Sequence, residues 1–148
     1  MLVILDKYFK ELTINELYDL LQLRSEVFVV EQDCVYQDVD GKDRIALHIL
    51  GFKDDELVAY TRAFKPGQYF SEASIGRVVV KKEERANDYG YEIMKASMVA
   101  VQEHFNTAKI SVSAQTYLKS FYKNLGFEEV GDAYEEDGIP HIKMIKYQ

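Results

Sequence analysis

The stretch that decides the fold is IGRVVVKKEERANDYGYEIMKASMVAVQ, residues 75–102. It begins with an apolar run typical of a strand, continues through a short polar loop, and ends with the periodicity of an amphipathic helix. A strand–loop–helix junction of this kind directs free backbone N–H groups and the positive end of a helix dipole at one point. We therefore expect a phosphate or pyrophosphate to bind where this helix begins.

The sequence around this stretch predicts one α+β domain that spans residues 1–148. The residues from Thr13 to Glu16 have the spacing of a capping box, so a helix is expected from about Asn15 to Val30. The remaining patterns predict a three-strand antiparallel meander after the first strand and helix, then a helix, a strand, a helix and a final hairpin. The predicted strands are 2–8, 46–53, 57–64, 74–80, 109–115, 127–134 and 141–147, and a short helix is predicted at 117–125. This order favours a mixed central sheet with helices on both faces.

Composition limits the class of function. The net charge of −7 argues against non-specific nucleic-acid binding and is compatible with a cationic partner or with solubility alone. Cys34 is the only cysteine and the few histidines are scattered, so neither a disulfide nor a metal site is expected. We see no signal peptide and no stretch that could span a bilayer, so a cytoplasmic protein without membrane contact is expected.

Several longer motifs carry a family resemblance. They are LRSEVFVVEQ (23–32), VDGKD (39–43), SAQTYLKSFYKNLGF (113–127) and EDGIPHIKM (136–144). With these motifs the chain resembles the Gcn5-related N-acetyltransferase (GNAT) family, in its ElaA-like branch, over residues 10–147. The resemblance implies a GNAT-like fold, acetyl-coenzyme A as cosubstrate, and direct acetyl transfer to a primary amine of a small molecule, a lysine or a protein N-terminus.

The resemblance also implies a set of cofactor contacts. In the family, the strand before the loop offers free backbone groups to the pantetheine arm, and Val78, Val79 and Val80 match those positions. An ordinary buried strand would have the same three valines, so the triplet alone does not show whether this strand binds a cofactor. The remaining expected contacts to the cofactor are Arg85, Ala86, Asn87, Asp88, Tyr89, Gly90, Tyr91, Ser120 and Lys123.

Asp88 departs from the family pattern, which has Gly at this position. Asp tolerates a left-handed conformation, so the loop is still able to form. Its carboxylate beside a pyrophosphate would cost about 1–3 kcal/mol, roughly a 5- to 150-fold loss of affinity. Alternatively, Asp88 turns outward and caps the helix. The sequence therefore leaves three outcomes open for cofactor binding: it is weakened, normal or lost.

Tyr122 is the candidate catalytic residue by resemblance. A Tyr at this position is thought to protonate the departing coenzyme A thiolate as a general acid. The competing interpretation is an aromatic residue that only packs in the core.

The amine must lose a proton before it attacks, and the candidate bases are Glu26, Glu31, His48 and His141. A structural role is favoured for both histidines. An unpaired buried guanidinium is costly, so we expect Arg77 to pair with Glu26 or Glu31 and to shape the acceptor pocket. Glu26, Glu31, Arg77 and His141 are therefore the expected acceptor-binding residues.

Two functional hypotheses follow. The first is an N-acetyltransferase that uses acetyl-coenzyme A. The alternative is a non-catalytic coenzyme A-binding or protein-interaction module with a degenerate loop, which Asp88 favours. The final hairpin could also pair with a second copy, so a homodimer is possible.

Overall fold

A seven-stranded mixed sheet forms the centre of the computed structural model, which describes residues 1–148. The strands are β1 (Val3–Tyr8), β2 (Leu47–Lys53), β3 (Glu56–Phe64), β4 (Ala73–Val80), β5 (Ile110–Gln115), β6 (Glu128–Glu136) and β7 (Ile139–Lys146). Their order across the sheet is β1-β2-β3-β4-β5-β7-β6, and only the β4–β5 pair is parallel. The predicted element order and the mixed sheet are confirmed.

Helices cover both faces of the sheet, as predicted. On one face, α1 (Ile14–Arg24) places Leu20 and Leu23 against Tyr60 and Val79. On the other face, α2 (Tyr89–Phe105) buries Ile93 and other apolar residues in the larger core cluster. The third helix, α3 (Lys119–Asn124), follows β5 and ends before Gly126, whose φ of 95° suits a glycine at a helix C-terminus. No helix is long and apolar enough to cross a membrane.

The first predicted helix changes from an α-helix to a π-helix about halfway along its length. Its start is confirmed, because Thr13 Oγ1 accepts from the Glu16 N–H at 3.0 Å and Glu16 Oε1 accepts from the Thr13 N–H at 2.9 Å. Beyond Arg24 the chain continues as a π-helix, Ser25–Glu31. Such wide turns are rare and often occur at functional sites. They shift every later side chain away from the position that a 3.6-residue period predicts.

A bulge in β4 opens the sheet. The register between β3 and β4 shifts between Tyr60 and Arg62, and Arg77 in this region has a left-handed φ of 49°. A bulge bends its strand and increases the local twist. Accordingly, β4 pairs with β5 only at Ala73 and Ser74, and the two strands separate beyond that point. The separation leaves one edge of the second half of β4 without a strand partner.

Candidate active site

Two cavities occupy the gap between β4 and β5. The larger one, the Val78 cleft, has a volume of about 460 Å³. It is lined by Val27, Phe28, Glu31, Gln32, Val78, Val79, Val80, Arg85, Asp88, Gly90, Tyr91, Gln115, Tyr117, Leu118, Phe121 and Tyr122. The smaller one, the His141 cavity, has a volume of about 100 Å³. Its polar side chains are Gln32, Cys34, Tyr36, Arg77, Ser113, Gln115, Tyr122, Glu136, Asp137 and His141.

The two cavities meet at Tyr122. This residue lines both of them, together with Phe28, Gln32, Val78 and a few neighbours. Only 5% of Tyr122 is exposed, and its ring packs edge-on against neighbouring aromatic rings. Burial raises the pKa of the phenol, so Tyr122 is protonated at neutral pH.

The valine triplet forms one wall of the Val78 cleft. Val79 and Val80 pair with Tyr60 and Ala59 of β3 on one side. On the other side, no strand is bonded to β4 beyond Ser74. An unpartnered strand edge of this kind is able to pair with an extended, amide-bearing chain.

The loop after β4 forms despite the missing glycine. Asp88 has φ 59° and ψ 22°, so it adopts the left-handed conformation that glycine would otherwise supply. Its side chain makes no capping bond to α2, and the predicted outward-capping alternative is therefore not observed. Asp88 instead lines the cleft near Gly90. A side chain at Gly90 would crowd Phe121, because an added Cβ would lie 3.2 Å from that ring.

Five of the predicted cofactor contacts lie outside the lining of the cleft. Tyr89 is buried in the core, and the side chain of Asn87 donates to Glu84. Ala86 and Ser120 are exposed, and Lys123 forms an ion pair with Glu129 at 2.7 Å. The structure does bring together Val78, Val79, Val80, Arg85, Asp88, Gly90 and Tyr91.

Arg85 and Glu31 form an ion pair in the Val78 cleft. The Arg85 guanidinium donates two hydrogen bonds to the Glu31 carboxylate, at 2.5 and 2.8 Å, and its Nε–H donates to the Val80 carbonyl at 3.1 Å. The hydrogen bonds from Arg85 lower the pKa of Glu31. Glu31 is therefore a weaker base than an ordinary carboxylate, which argues against it as the catalytic base.

The structure places Glu26 outside both cavities and does not bring it together with Arg77 and His141. Glu26 is exposed and borders a separate surface groove with Asp19 and Lys81. It lies in the π-helical segment Ser25–Glu31, where the side chains no longer follow the 3.6-residue period of an α-helix.

The predicted pairing of Arg77 with Glu26 or Glu31 is wrong, because Arg77 pairs with aspartates. Its Nε lies 2.8 Å from Asp38 Oδ1, and its Nη2–H donates to the Asp38 carbonyl at 3.1 Å. The guanidinium also lies over the ring of Tyr36, 5.5 Å from its centre. The left-handed backbone at Arg77 breaks the alternation of side chains along β4.

Asp38 belongs to a buried network of three arginines and three aspartates, which the sequence analysis missed. Arg24 is fully buried and contacts Asp38 at 2.9 Å and Asp43 at 2.7 Å. Arg62 is 2% exposed and contacts Asp43 at 2.9 Å and Asp40 at 2.6 Å. The only sequence signal was that Arg24 and the three aspartates fall in or beside the motifs 23–32 and 39–43.

His48 is a structural residue beside this network, as predicted. It is fully buried, its Nε2–H donates to the Asp43 carbonyl at 2.8 Å, and its Nδ1 accepts from the Tyr60 hydroxyl at 2.6 Å. Burial lowers its pKa, so the ring is neutral. With both nitrogens engaged, His48 has no free group to offer a substrate.

His141 differs from His48 because one of its nitrogens is free. Its Nδ1–H donates to the Ile139 carbonyl at 2.6 Å, and its ring stacks on Tyr134. Its Nε2 lies 3.7 Å from a carboxylate oxygen of Glu136. His141 lines the smaller cavity, as the predicted acceptor site requires.

The fold is that of the GNAT acyltransferases. The family model for the acetyltransferase (GNAT) domain matches residues 12–148, and the chain therefore belongs to this family. It is similar to the protein ElaA of Escherichia coli, with 44% identity over 95% of this chain and 94% of that protein. The crystal structure of E. coli ElaA superposes with a TM-score of 0.91 at 42% identity, covering 99% of each chain. An acyl-CoA N-acyltransferase from Pseudomonas aeruginosa gives a TM-score of 0.92 at 39% identity, again covering 99% of each chain.

Replacing Arg24 tests the buried network. We expect Arg24→Met to lower the free energy of unfolding by about 3–5 kcal/mol, because Asp38 and Asp43 would each lose one of their two cationic partners and keep a buried charge that is only partly compensated. Urea denaturation measures the loss. Arg44→Met is the matched control, since Arg44 is exposed and forms no ion pair, and its effect should stay within about 0.5 kcal/mol. A loss below about 1 kcal/mol for Arg24→Met would contradict the prediction.

The network also predicts a dependence of stability on pH. Burial opposes ionisation of Asp40, but the hydrogen bonds from Arg62 prevail and hold its pKa below the usual range. A lowered folded-state pKa stabilises the protein above the unfolded value of about 4, and this contribution is lost as pH falls. The difference in unfolding free energy between wild type and Asp40→Asn should therefore be largest above about pH 5 and should shrink towards about pH 2. A difference that stays constant over this range in urea titrations would refute the assignment.

Proposed function

We propose that this protein transfers the acetyl group of acetyl-coenzyme A directly to a primary amine. The observation that carries the proposal is the meeting of two cavities at one buried, protonated phenol, Tyr122. A direct transfer needs one cavity for each substrate and a shared wall where the reacting atoms meet. The Val78 cleft would hold the cofactor, and the His141 cavity would hold the amine.

Two features of the Val78 cleft suit coenzyme A. The unpartnered edge of β4 would bind the amide-bearing pantetheine arm as an additional strand. The N-terminus of the 17-residue helix α2 would direct its free N–H groups at the pyrophosphate. Membership of the GNAT family supports the same assignment, because its members bind acyl-coenzyme A.

Tyr122 would act as the general acid. Its phenol retains a proton at neutral pH and lies where the cofactor cleft ends against the acceptor cavity. When the carbon–sulfur bond breaks, Tyr122 would supply a proton to the departing thiolate. A positioned proton donor of this kind contributes about 10²- to 10⁴-fold in rate.

A second candidate function is a non-catalytic module that binds coenzyme A weakly or binds a protein partner. The charges around the cleft favour it. Asp88 places a carboxylate beside the expected pyrophosphate position, and Arg85 is engaged by Glu31. Lys119 and Lys123 are likewise engaged by Glu129, so the basic groups near the cleft are partly neutralised before any ligand binds.

Tyr122→Phe tests the catalytic proposal. We expect the variant to bind acetyl-coenzyme A as the wild type does but to release free thiol at least about 100-fold more slowly with a primary-amine acceptor, because the proton donor is gone. Calorimetry measures binding, and a thiol-reactive dye measures turnover. Tyr18→Phe, on the exposed side of α1, is the control and should keep the wild-type rate. Equal rates for Tyr122→Phe and wild type would rule out the general-acid role.

Asp88 variants separate the two candidate functions. Both Asp88→Gly and Asp88→Asn remove the carboxylate and tolerate the left-handed backbone. We expect them to bind acetyl-coenzyme A about 5- to 150-fold more tightly than wild type at low salt, with a smaller gain at high salt.

The matched control is Asp54→Asn, because Asp54 has a similar φ of 50° but lies in the β2–β3 turn. Binding that appears only in the Asp88 variants would favour the non-catalytic module. Failure of wild type and both Asp88 variants to bind would overturn the coenzyme A assignment.

A further inference from the structure

The charges of the His141 cavity are unbalanced. Arg77 is the only cationic side chain in its lining that carries a permanent charge, and it is already engaged by Asp38 and Asp40. Glu136 and Asp137 line the same cavity, and neither has a Lys or Arg partner. A bound cation would therefore meet uncompensated negative charge, whereas a bound anion would be repelled.

Glu136 is held in place from one side. The Ser113 hydroxyl donates to Glu136 Oε1 at 3.3 Å, and Ser113 in turn hydrogen-bonds with the Tyr134 hydroxyl at 2.5 Å. These contacts leave Oε2 as the oxygen that faces His141. The carboxylate is thus oriented before any substrate arrives.

The hydrogen bond at Nδ1 fixes the tautomer of His141. A carbonyl oxygen only accepts, so the contact with Ile139 at 2.6 Å requires a proton on Nδ1. In the neutral ring, Nε2 is then the acceptor. Its distance of 3.7 Å from Glu136 Oε2 is too long for a direct hydrogen bond.

That distance suits an inserted ammonium group. A nitrogen placed about 2.9 Å from both Nε2 and Oε2 completes a triangle with the observed 3.7 Å side, and an ammonium donates to two such acceptors at once. We propose that Glu136 and His141 form the acceptor site for a cationic primary amine, in which Glu136 binds the ammonium and His141 Nε2 removes its proton. This inference rests on the proposed function and identifies the base for that reaction.

His141 Nε2 takes one proton from the ammonium and leaves a neutral amine, and that proton later passes to solvent. The amine nitrogen forms a bond to the thioester carbonyl carbon, the carbon–sulfur bond breaks, and Tyr122 protonates the thiolate. The nitrogen loses its second proton, and the return of a proton to Tyr122 restores its phenol. The products are an N-acetyl amine, free coenzyme A and one proton.

Imidazole NMR signals test the site without requiring turnover. The chain has three histidines, so the ring signal of His141 is assigned by its loss in His141→Gln. We expect millimolar butylammonium to shift the His141 signal and leave His48 and His104 unchanged, whereas butan-1-ol, which has the same chain without the charge, should shift none.

Glu136→Gln should abolish the response, and the neighbouring Glu135→Gln should retain it, because Glu135 is not part of the cavity lining. A silent His141, an equal response to butan-1-ol, or a response that survives Glu136→Gln would overturn the proposal.

Turnover tests the base. With butylamine and acetyl-coenzyme A, His141→Gln should lower kcat about 100-fold or more at unchanged acetyl-coenzyme A affinity. Added imidazole should restore activity in His141→Gly but not in Tyr122→Phe. His104→Gln is the control, because His104 contacts Asp6 on the surface. A His141→Gln rate within a few-fold of wild type, or no transfer to butylamine by a wild type that binds acetyl-coenzyme A, would refute the base assignment. Failure to bind acetyl-coenzyme A at all would instead refute the proposed function.

Discussion

The buried ion-pair network is the constraint on which the site depends. Arg24 and Arg62 lie in the interior, where an uncompensated charge would be severely destabilising. Their carboxylate partners come from the loop that follows the π-helical segment, so this loop must close over β3 and β4 before the charges are satisfied. Buried ion pairs of this kind are weak sources of net stability but tolerate few alternative arrangements. The loop and its side chains are therefore held at one end of the His141 cavity.

The same network extends to the bulge that opens the sheet. Arg77 adopts a left-handed backbone that costs a non-glycine residue about 1 kcal/mol or more. Its contact with Asp38 offsets part of that strain and joins the bulge to the loop. Since β4 and β5 are paired at only two positions, the space beyond them becomes the two cavities that share Tyr122. The two cavities thus depend on a local backbone irregularity in β4. That irregularity is stabilised by a charged side chain that is far away in the sequence but in direct contact in space.

The parts of the site that follow from chain order were predictable, and those that follow from side-chain direction were not. The strand–loop–helix segment correctly located Val78, Arg85 and Asp88 at one cleft. Glu26 lies outside the two cavities in a π-helical segment, and no periodicity in the sequence indicates a π-helix there. The partners of Arg77 were wrong because its bulge breaks the two-residue alternation of a strand.

The sequence by itself determined the order of strands and helices, the mixed sheet with two covered faces, and the family. The strands and helices depend on local periodicity, capping and turn chemistry, which each short segment contains in full, whereas the family follows from the resemblance of four longer motifs. Only the tertiary structure decided which carboxylates pair with the buried arginines, and which histidine retains a free nitrogen and lines a cavity. The sequence alone does not distinguish His48 from His141. In the structure, His48 is hydrogen-bonded to Asp43 and Tyr60, whereas His141 lines a cavity. That difference arises from contacts between segments far apart in the chain, which local patterns do not record.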